Sequence, residues 1–254
     1  FDPHALLKCD GSYQYGDRVF GCWFTEGHGN VDLTSAIMQS CDIYFYKTIQ
    51  YYELDKLAKY FKTFGFGNVT GIDIEGEYKG TIPTTKYMNE RYGRSGWSKG
   101  ALLNFCIGQG EILVTPMQVF NYINILATRG MANSPHFVSS SKQKSSTINL
   151  STETWDRIIF DMRQVVNHEN GTGKSADPLV DDVDVFGKTG TAENPHGEDH
   201  AWFVGWMNYK GRKISTVILL ENAGSGGAVA APMARKIFND YLSNLKNKSI
   251  ISMQ

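Results

Sequence analysis

Residues 183–221 read VDVFGKTGTAENPHGEDHAWFVGWMNYKGRKISTVILLE. Three β-rich runs, Val183–Lys188, Ala201–Tyr209 and Lys213–Glu221, are separated by short turns. This pattern predicts three strands of an antiparallel meander. On either side the apolar period changes to that of helices. Upstream, a first helix is expected from Asp32 or Thr34 onward, carrying Leu33, Ile37, Ile43, Tyr44 and Ile49. A second covers about 54–64 and stops at Gly65 and Gly67. Pro116 opens a third, through Val119, Tyr122, Ile123 and Leu126, because proline's missing N–H costs nothing in a first turn. Ser151 caps a fourth, through Trp155, Ile158, Ile159, Met162 and Val166. Downstream, a last helix at about 229–246 carries Val229, Met233, Ile237 and Tyr241. Residues 1–31 read as loop with a short hairpin, 68–100 as loop and short extended pieces, and 135–149 as a mobile polar loop. Helices, then strands, then a helix make an α+β domain with helices packed on an antiparallel sheet.

The chain has 254 residues, 41% hydrophobic and 20% charged, with a net charge of -1. That length supports one large domain or two small ones with a sizeable core. No basic excess predicts nucleic acid or an anionic membrane surface as a partner. No run of eighteen apolar residues predicts a bilayer span, and no signal peptide is present. Phe1 stands where an initiator Met would, so the sequence reads as a piece of something longer.

Two short motifs carry chemistry. Lys188-Thr189-Gly190-Thr191 sits at the end of the first β-rich run. An ammonium and hydroxyls on a strand edge can bind a carboxylate. Gly190 lets a substrate backbone approach, and the Thr191 N–H can face a developing oxyanion. Ser40-Cys41-Asp42 is expected inside the first helix, where a hydroxyl and a carboxylate two positions apart do not share a face. Taken singly, a strand end and a solvated helix explain both.

Their order changes that reading. Ser-x-x-Lys, Ser-Asp-Asn and Lys-Thr-Gly are the signature set of penicillin-recognising enzymes. Ser40-Cys41-Asp42 resembles the second member and Lys188–Gly190 matches the third. Between them lie Gly108-Gln109-Gly110 and Val114-Thr115-Pro116-Met117-Gln118. After them come His200-Ala201-Trp202-Phe203-Val204-Gly205-Trp206 and Glu221-Asn222, then Gly224-Ser225-Gly226-Gly227. The whole run resembles class B penicillin-binding proteins. Within them, Gly27-His28-Gly29 makes it similar to the penicillin-binding protein 2 branch of the rod-shape (elongation) machinery.

The resemblance implies a penicillin-binding/serine β-lactamase-like transpeptidase fold over residues 1–254. It implies a peptidoglycan D,D-transpeptidase that cross-links stem peptides by serine acyl transfer and is a target of β-lactams. In that chemistry Ser40 relays a proton toward the leaving amine, and Asp42 orients the lysine of the first motif. Lys188, with Thr189 and Thr191, holds the terminal carboxylate, and Gly190 admits the substrate. No cofactor for catalysis is implied. Implied partners are a polymerase of the elongation complex and a rod-shape scaffold protein. The implied location is the periplasm, on a protein anchored in the inner membrane by one N-terminal helix.

One departure stands out. No Ser-x-x-Lys precedes Ser40. Ser139-Ser140-Ser141-Lys142 and Ser141-Lys142-Gln143-Lys144 match the letters but follow the second motif, in a polar stretch, and read as chance. The nucleophile is therefore expected before Phe1, and the sheet is expected to lack the strands the family draws from that N-terminal part. Competing functions are a D,D-carboxypeptidase or β-lactamase on the same fold, and a non-catalytic β-lactam sensor or scaffold-binding module.

Cys9, Cys22, His28 and Cys41 follow the spacing C-x12-C-x5-H-x12-C. Three soft ligands and an imidazole make a full tetrahedral set for structural Zn²⁺, and residues 1–31 form a loop region that metal would order. Some elongation-type relatives have a zinc site near this place, built partly from Asp, where Cys9 and Cys22 would stand here. A Cys9–Cys22 disulfide, free thiols, and a His28 that bonds a backbone carbonyl are alternative readings. Cys106 reads as core.

Three further clusters read as structural. Gly171-Thr172-Gly173-Lys174-Ser175 resembles part of a phosphate loop, but its preceding run is helical where a strand is required. Asp181, Asp182 and Asp184 read as a solvated loop. His196, Glu198, Asp199 and His200 read as a hydrophilic turn.

Overall fold

The structure, a computed structural model, describes residues 2–139 and 145–251, with side chains in the last helix as far as Leu245. The chain divides into two compact units, Phe1–Ile158 and Ile159–Gln254.

In the first unit, strands β1 (Leu7–Cys9), β2 (Ser12–Tyr15), β3 (Arg18–Gly21) and β4 (Gly29–Val31) form two antiparallel pairs, β1 with β4 and β2 with β3. Residues 1–31 are thus a paired ribbon enclosing a hairpin, more regular than the loop expected. Helix α1 (Leu33–Met38) starts at Asp32, whose carboxylate accepts the Ser35 N–H at 2.8 Å. It is not continuous with α2 (Asp42–Ile49). Ser40 adopts a left-handed conformation with φ 55°, and Cys41 is extended as the N-cap of α2. The second motif therefore lies in a corner between two helices, not inside one. Apolar spacing does not register that break, because the corner needs only two residues, Ser40 and Cys41, outside the right-handed helical region.

Helix α3 (Leu54–Thr63) ends before Gly65 as expected. Two short helices were not legible: α4 (Thr85–Tyr92), capped by the Thr84 hydroxyl, and α5 (Ala101–Cys106). Helix α6 (Pro116–Ala127) carries a full capping box between Thr115 and Gln118. Gln118 is buried, and its side chain also donates to the carbonyls of Asn68 and Lys79 at 2.7 and 2.9 Å. It ties the loops around α6 together. Strand β5 (Met131–Asn133) pairs with β6 (Ser145–Thr147), so part of the 135–149 stretch is a strand. The two Ser-x-x-Lys matches lie, apart from Ser139, outside the described residues. The core of this unit gathers Val31, Ala36, Ile43, Tyr44, Leu103 and Phe105. Cys106 is only half-buried and packs against that core rather than within it.

Helix α7 (Thr152–Asn167) begins in the first unit and ends in the second. The Ser151 hydroxyl accepts the Thr154 N–H at 3.2 Å. In the second unit, β7 (Val183–Ala192), β8 (His200–Tyr209) and β9 (Arg212–Leu220) form an antiparallel sheet in sequence order. Strand β7 runs four residues beyond the expected end at Lys188, so the whole third motif is paired: Lys188 with Val204, Gly190 with Trp202, Ala192 with His200. Gly187 pairs with Gly205, and a methyl on Gly205 would lie 2.2 Å from the Phe186 carbonyl. This glycine pair draws the two strands close. Beside it Phe186 stacks on Trp206, with centroids 4.8 Å apart and planes 5° apart.

A π-helical turn at Gly226–Ala230 leads into α8 (Ala231–Ile251). Its buried row is Ala230, Ala234, Phe238 and Leu242, packed with Val185, Phe203 and Ile218 of the sheet. The expected row is displaced by one position: Met233 and Ile237 are each 40% exposed. Small alanines let the helix approach the sheet closely, an advantage hydrophobicity does not register.

Candidate functional site

In the first unit, the corner between α1 and α2 sits against a cysteine–histidine cluster. Cys9 closes β1 and Cys22 follows β3. Cys41 caps α2, and His28 ends the loop before β4. All three cysteines are buried and free. Two glycines permit this convergence. A methyl on Gly27, at φ 83°, would lie 2.4 Å from the Cys9 carbonyl oxygen, and one on Gly11 1.9 Å from that of Thr25.

His28 Nδ1 faces Cys9 Sγ at 3.6 Å and Cys22 Sγ at 3.5 Å. The one ligand atom from each of the four residues lies within 4.8 Å of the others. A metal with sulphur at about 2.3 Å and nitrogen at about 2.1 Å in tetrahedral array separates S from N by about 3.6 Å. The observed spacings fit that edge. His28 Nε2 is buried with no hydrogen-bond partner, so the ring is not oriented by a backbone carbonyl. Its placement is accounted for by the sulphurs. This buried Cys₃His group could hold a metal ion.

Within the cluster one thiol is favoured as the thiolate and its neighbour as the thiol. Cys22 is pulled down to about 4, first by a hydrogen bond with Cys41, then, against the cost of burial, by the N–H groups of Phe24 and Asp42 and by His28. The Cys22 thiolate and burial push the Cys41 thiol up. Cys106, outside the cluster, is pushed up to about 12 by burial and by the Asp42 charge.

Asp42 is bound into the same loop. The backbone N–H of Trp23 donates to its Oδ2 at 3.1 Å, and the Trp23 indole donates to the Gln39 carbonyl at 2.9 Å. Trp23 and Phe24 also place their rings 5.6 and 5.2 Å from His28. Sequence reasoning missed Trp23. Its signal was its position between two candidate ligands.

In the second unit, β7 presents Lys188 through Thr191. Lys188 Nζ donates to the Thr189 carbonyl at 3.0 Å. Thr189 Oγ1 donates to Thr172 Oγ1 at 2.8 Å, and Thr191 Oγ1 accepts the Gly226 N–H at 3.3 Å. Two glycine-rich loops therefore serve the third motif. Gly171-Thr172-Gly173 follows α7 and leads into a single 3-10 turn, Lys174–Ala176, which is the helix stop expected. Gly224–Gly227 brings Gly226 so close that a methyl there would lie 2.3 Å from the Gly190 and Trp202 carbonyl oxygens. Thr172 and Gly226 were not named from sequence as partners of this strand. The Gly-Thr-Gly and Gly-Gly signals were visible, but the contact depends on the fold.

The remaining acidic clusters are structural. Asp184 pairs with Arg163 at 2.9 Å. Asp199 accepts the N–H groups of Ala223 and Gly224 on its carbonyl, and His200 Nδ1 accepts the Asn222 N–H at 3.0 Å. Among the described residues, the Cys₃His group is the one set of His, Cys, Asp and Glu placed to share an ion.

The family model for the penicillin binding protein transpeptidase domain matches residues 1–239. The chain belongs to that family. As a transpeptidase-domain chain it is similar to the Peptidoglycan D,D-transpeptidase MrdA of Haemophilus influenzae, 34% identical over 96% of this chain and 40% of that protein. It is also similar to a penicillin-binding protein (PBP2) solved in complex with MreC from Helicobacter pylori. There the TM-score is 0.83 at 30% identity, over 94% of this chain and 46% of that one. Pseudomonas aeruginosa PBP2 in complex with WCK 5153 gives the same TM-score and identity, over 94% and 54%. The chain thus spans roughly two-fifths to half the length of these relatives. The transpeptidase-domain α+β fold expected from sequence is the fold found. Among the described residues, no helix is long and apolar enough to cross a membrane.

Proposed function

We propose that residues 1–254 form the C-terminal portion of the transpeptidase domain of a peptidoglycan D,D-transpeptidase that acts on stem peptides and is acylated by β-lactams. The observation that carries this is the family match across residues 1–239, which includes the first unit, most of the second and both motifs. Catalysis runs in two steps. A serine of a Ser-x-x-Lys element outside residues 1–254 attacks the D-Ala–D-Ala carbonyl. The amine of a second stem then resolves the acyl-enzyme. Ser40 relays the proton to the leaving amine, and Asp42 orients the first-motif lysine. Lys188 supplies positive charge, and with Thr189 and Thr191 it holds the terminal carboxylate. Gly190 leaves room for the substrate backbone, and the Thr191 N–H serves the oxyanion.

Zinc is the metal we assign to Cys9, Cys22, His28 and Cys41, on the S–N spacing and the soft donor set. With four protein ligands it has no open position, so its part is to brace the corner that bears Ser40 and Asp42. The relatives solved with MreC and in a peptidoglycan synthase complex support a rod-shape scaffold protein and a polymerase as partners. The periplasm, on an inner-membrane-anchored protein, is the location that goes with this reading.

Fluorescent penicillin labelling of the intact protein tests the reading. Covalent label is expected on the parent, with Lys188→Ala slowing its acylation by about 10–10² through loss of the charged group that holds the carboxylate. A parent that takes no label ends the transpeptidase reading. Label that turns over rapidly moves it to a β-lactamase.

A further inference from the structure

Trp23 is 60% exposed, yet it makes two hydrogen bonds to main-chain and side-chain groups of one corner. A tryptophan so poorly buried is not placed by core packing. Its indole N–H satisfies the carbonyl of Gln39, the C-cap of α1, one of the acceptors a helix end leaves open. Its backbone N–H holds the carboxylate of Asp42, the first residue of α2. Ser40, in its left-handed conformation, lies between these two anchored points. The loop that carries Trp23 is itself fixed. The Cys22 N–H donates to the Gly11 carbonyl at 2.8 Å, and Gly27 packs against the Cys9–Asp10 backbone.

We propose that Trp23 is a positioning residue that clamps the Ser40-Cys41-Asp42 corner and so sets the aim of the Ser40 hydroxyl and the Asp42 carboxylate. The role in acylation rests on the transpeptidase reading above; the clamp itself does not. The indole bond anchors the residue, and the anchored backbone N–H aims the carboxylate. Removing the indole donor loosens both. A group held within a fraction of an ångström of its productive position loses rate when its support is removed, while ligand affinity changes little.

Two variants of the intact protein test this. Trp23→Phe keeps a ring over His28 but removes the donor. Tyr51→Ala removes a ring that is 89% exposed and stands outside the corner and the cluster. Trp23→Phe is expected to lower the penicillin acylation rate constant about tenfold, near one hydrogen bond's worth, with the dissociation constant and melting temperature little changed. It is also expected to speed hydrogen–deuterium exchange across residues 39–45. Tyr51→Ala leaves all four readouts near parental. Parental acylation and exchange in Trp23→Phe would overturn the clamp, as would equal slowing by both variants. If the parent takes no penicillin label, the transpeptidase reading fails on its own, and the exchange difference still decides whether Trp23 clamps the corner.

Discussion

The corner at Ser40 and the strand at Lys188 present short polar motifs by opposite means. Strand β7 is paired residue by residue with β8, and its geometry comes from a backbone ladder. The corner has no ladder. Its shape comes from one left-handed residue, a cysteine N-cap, and the backbone N–H and indole N–H of Trp23, which reach in from a loop about 20 residues away. A ladder-borne motif is stiff by construction. A corner-borne motif is as stiff as the groups that brace it, and here those groups converge on the Cys₃His cluster.

That contrast can be broken most forcefully at the cluster. A structural ion at a thousandfold its dissociation constant contributes about 4 kcal/mol to stability. Chelation, or Cys22→Ser, is therefore expected to lower the melting temperature sharply, whereas Lys188→Ala, which removes one half-buried hydrogen bond, costs about 1 kcal/mol. Differential scanning calorimetry with metal analysis compares the two directly. Unchanged melting after complete chelation would remove the brace.

On the strand the equivalent weakness is steric. Gly226→Ala puts a methyl 2.3 Å from two carbonyl oxygens of the β7–β8 ladder. An expected loss of about 2 kcal/mol follows from overpacking of this kind, read by urea denaturation. An unperturbed midpoint would mean that the ladder yields more readily than its pairing suggests.

At neutral pH the smallest effect is expected at Cys106, whose ionisation bears on stability only above pH 9. Burial raises its folded pKa to about 12 from the ordinary 9.0. The unfolded thiol therefore ionises first, and the stability from the protonated folded thiol is complete below pH 9 and lost as pH climbs toward 12. Cys106→Ala should flatten that decline. An unaltered slope between pH 9 and 12 would show that the thiol ionises alike in both states.

The same contrast governs what the sequence revealed. The meander was legible because alternation and turn residues are local, and β8 and β9 begin and end within a residue of the expected runs. Strand β7 runs longer because Thr189–Ala192 carries no apolar signal and is held by its partner. The break at Ser40 was hidden, since no glycine or proline marks it. Helices α4 and α5 are too short for periodicity to declare. The last helix carries two adjacent rows at the same spacing, and only the sheet decides that Ala234 and Phe238 face inward. The four candidate ligands were visible by type. Their convergence required Gly11 and Gly27, whose role appears only when two chain segments meet.

Ser40 carries one last consequence. A non-glycine residue in the left-handed region costs about 1–2 kcal/mol, a cost glycine does not incur. Selection for heat resistance alone would thus reward Ser40→Gly and discard the hydroxyl with it. Breeding a hardier version of this protein without watching its chemistry invites the loss of that oxygen.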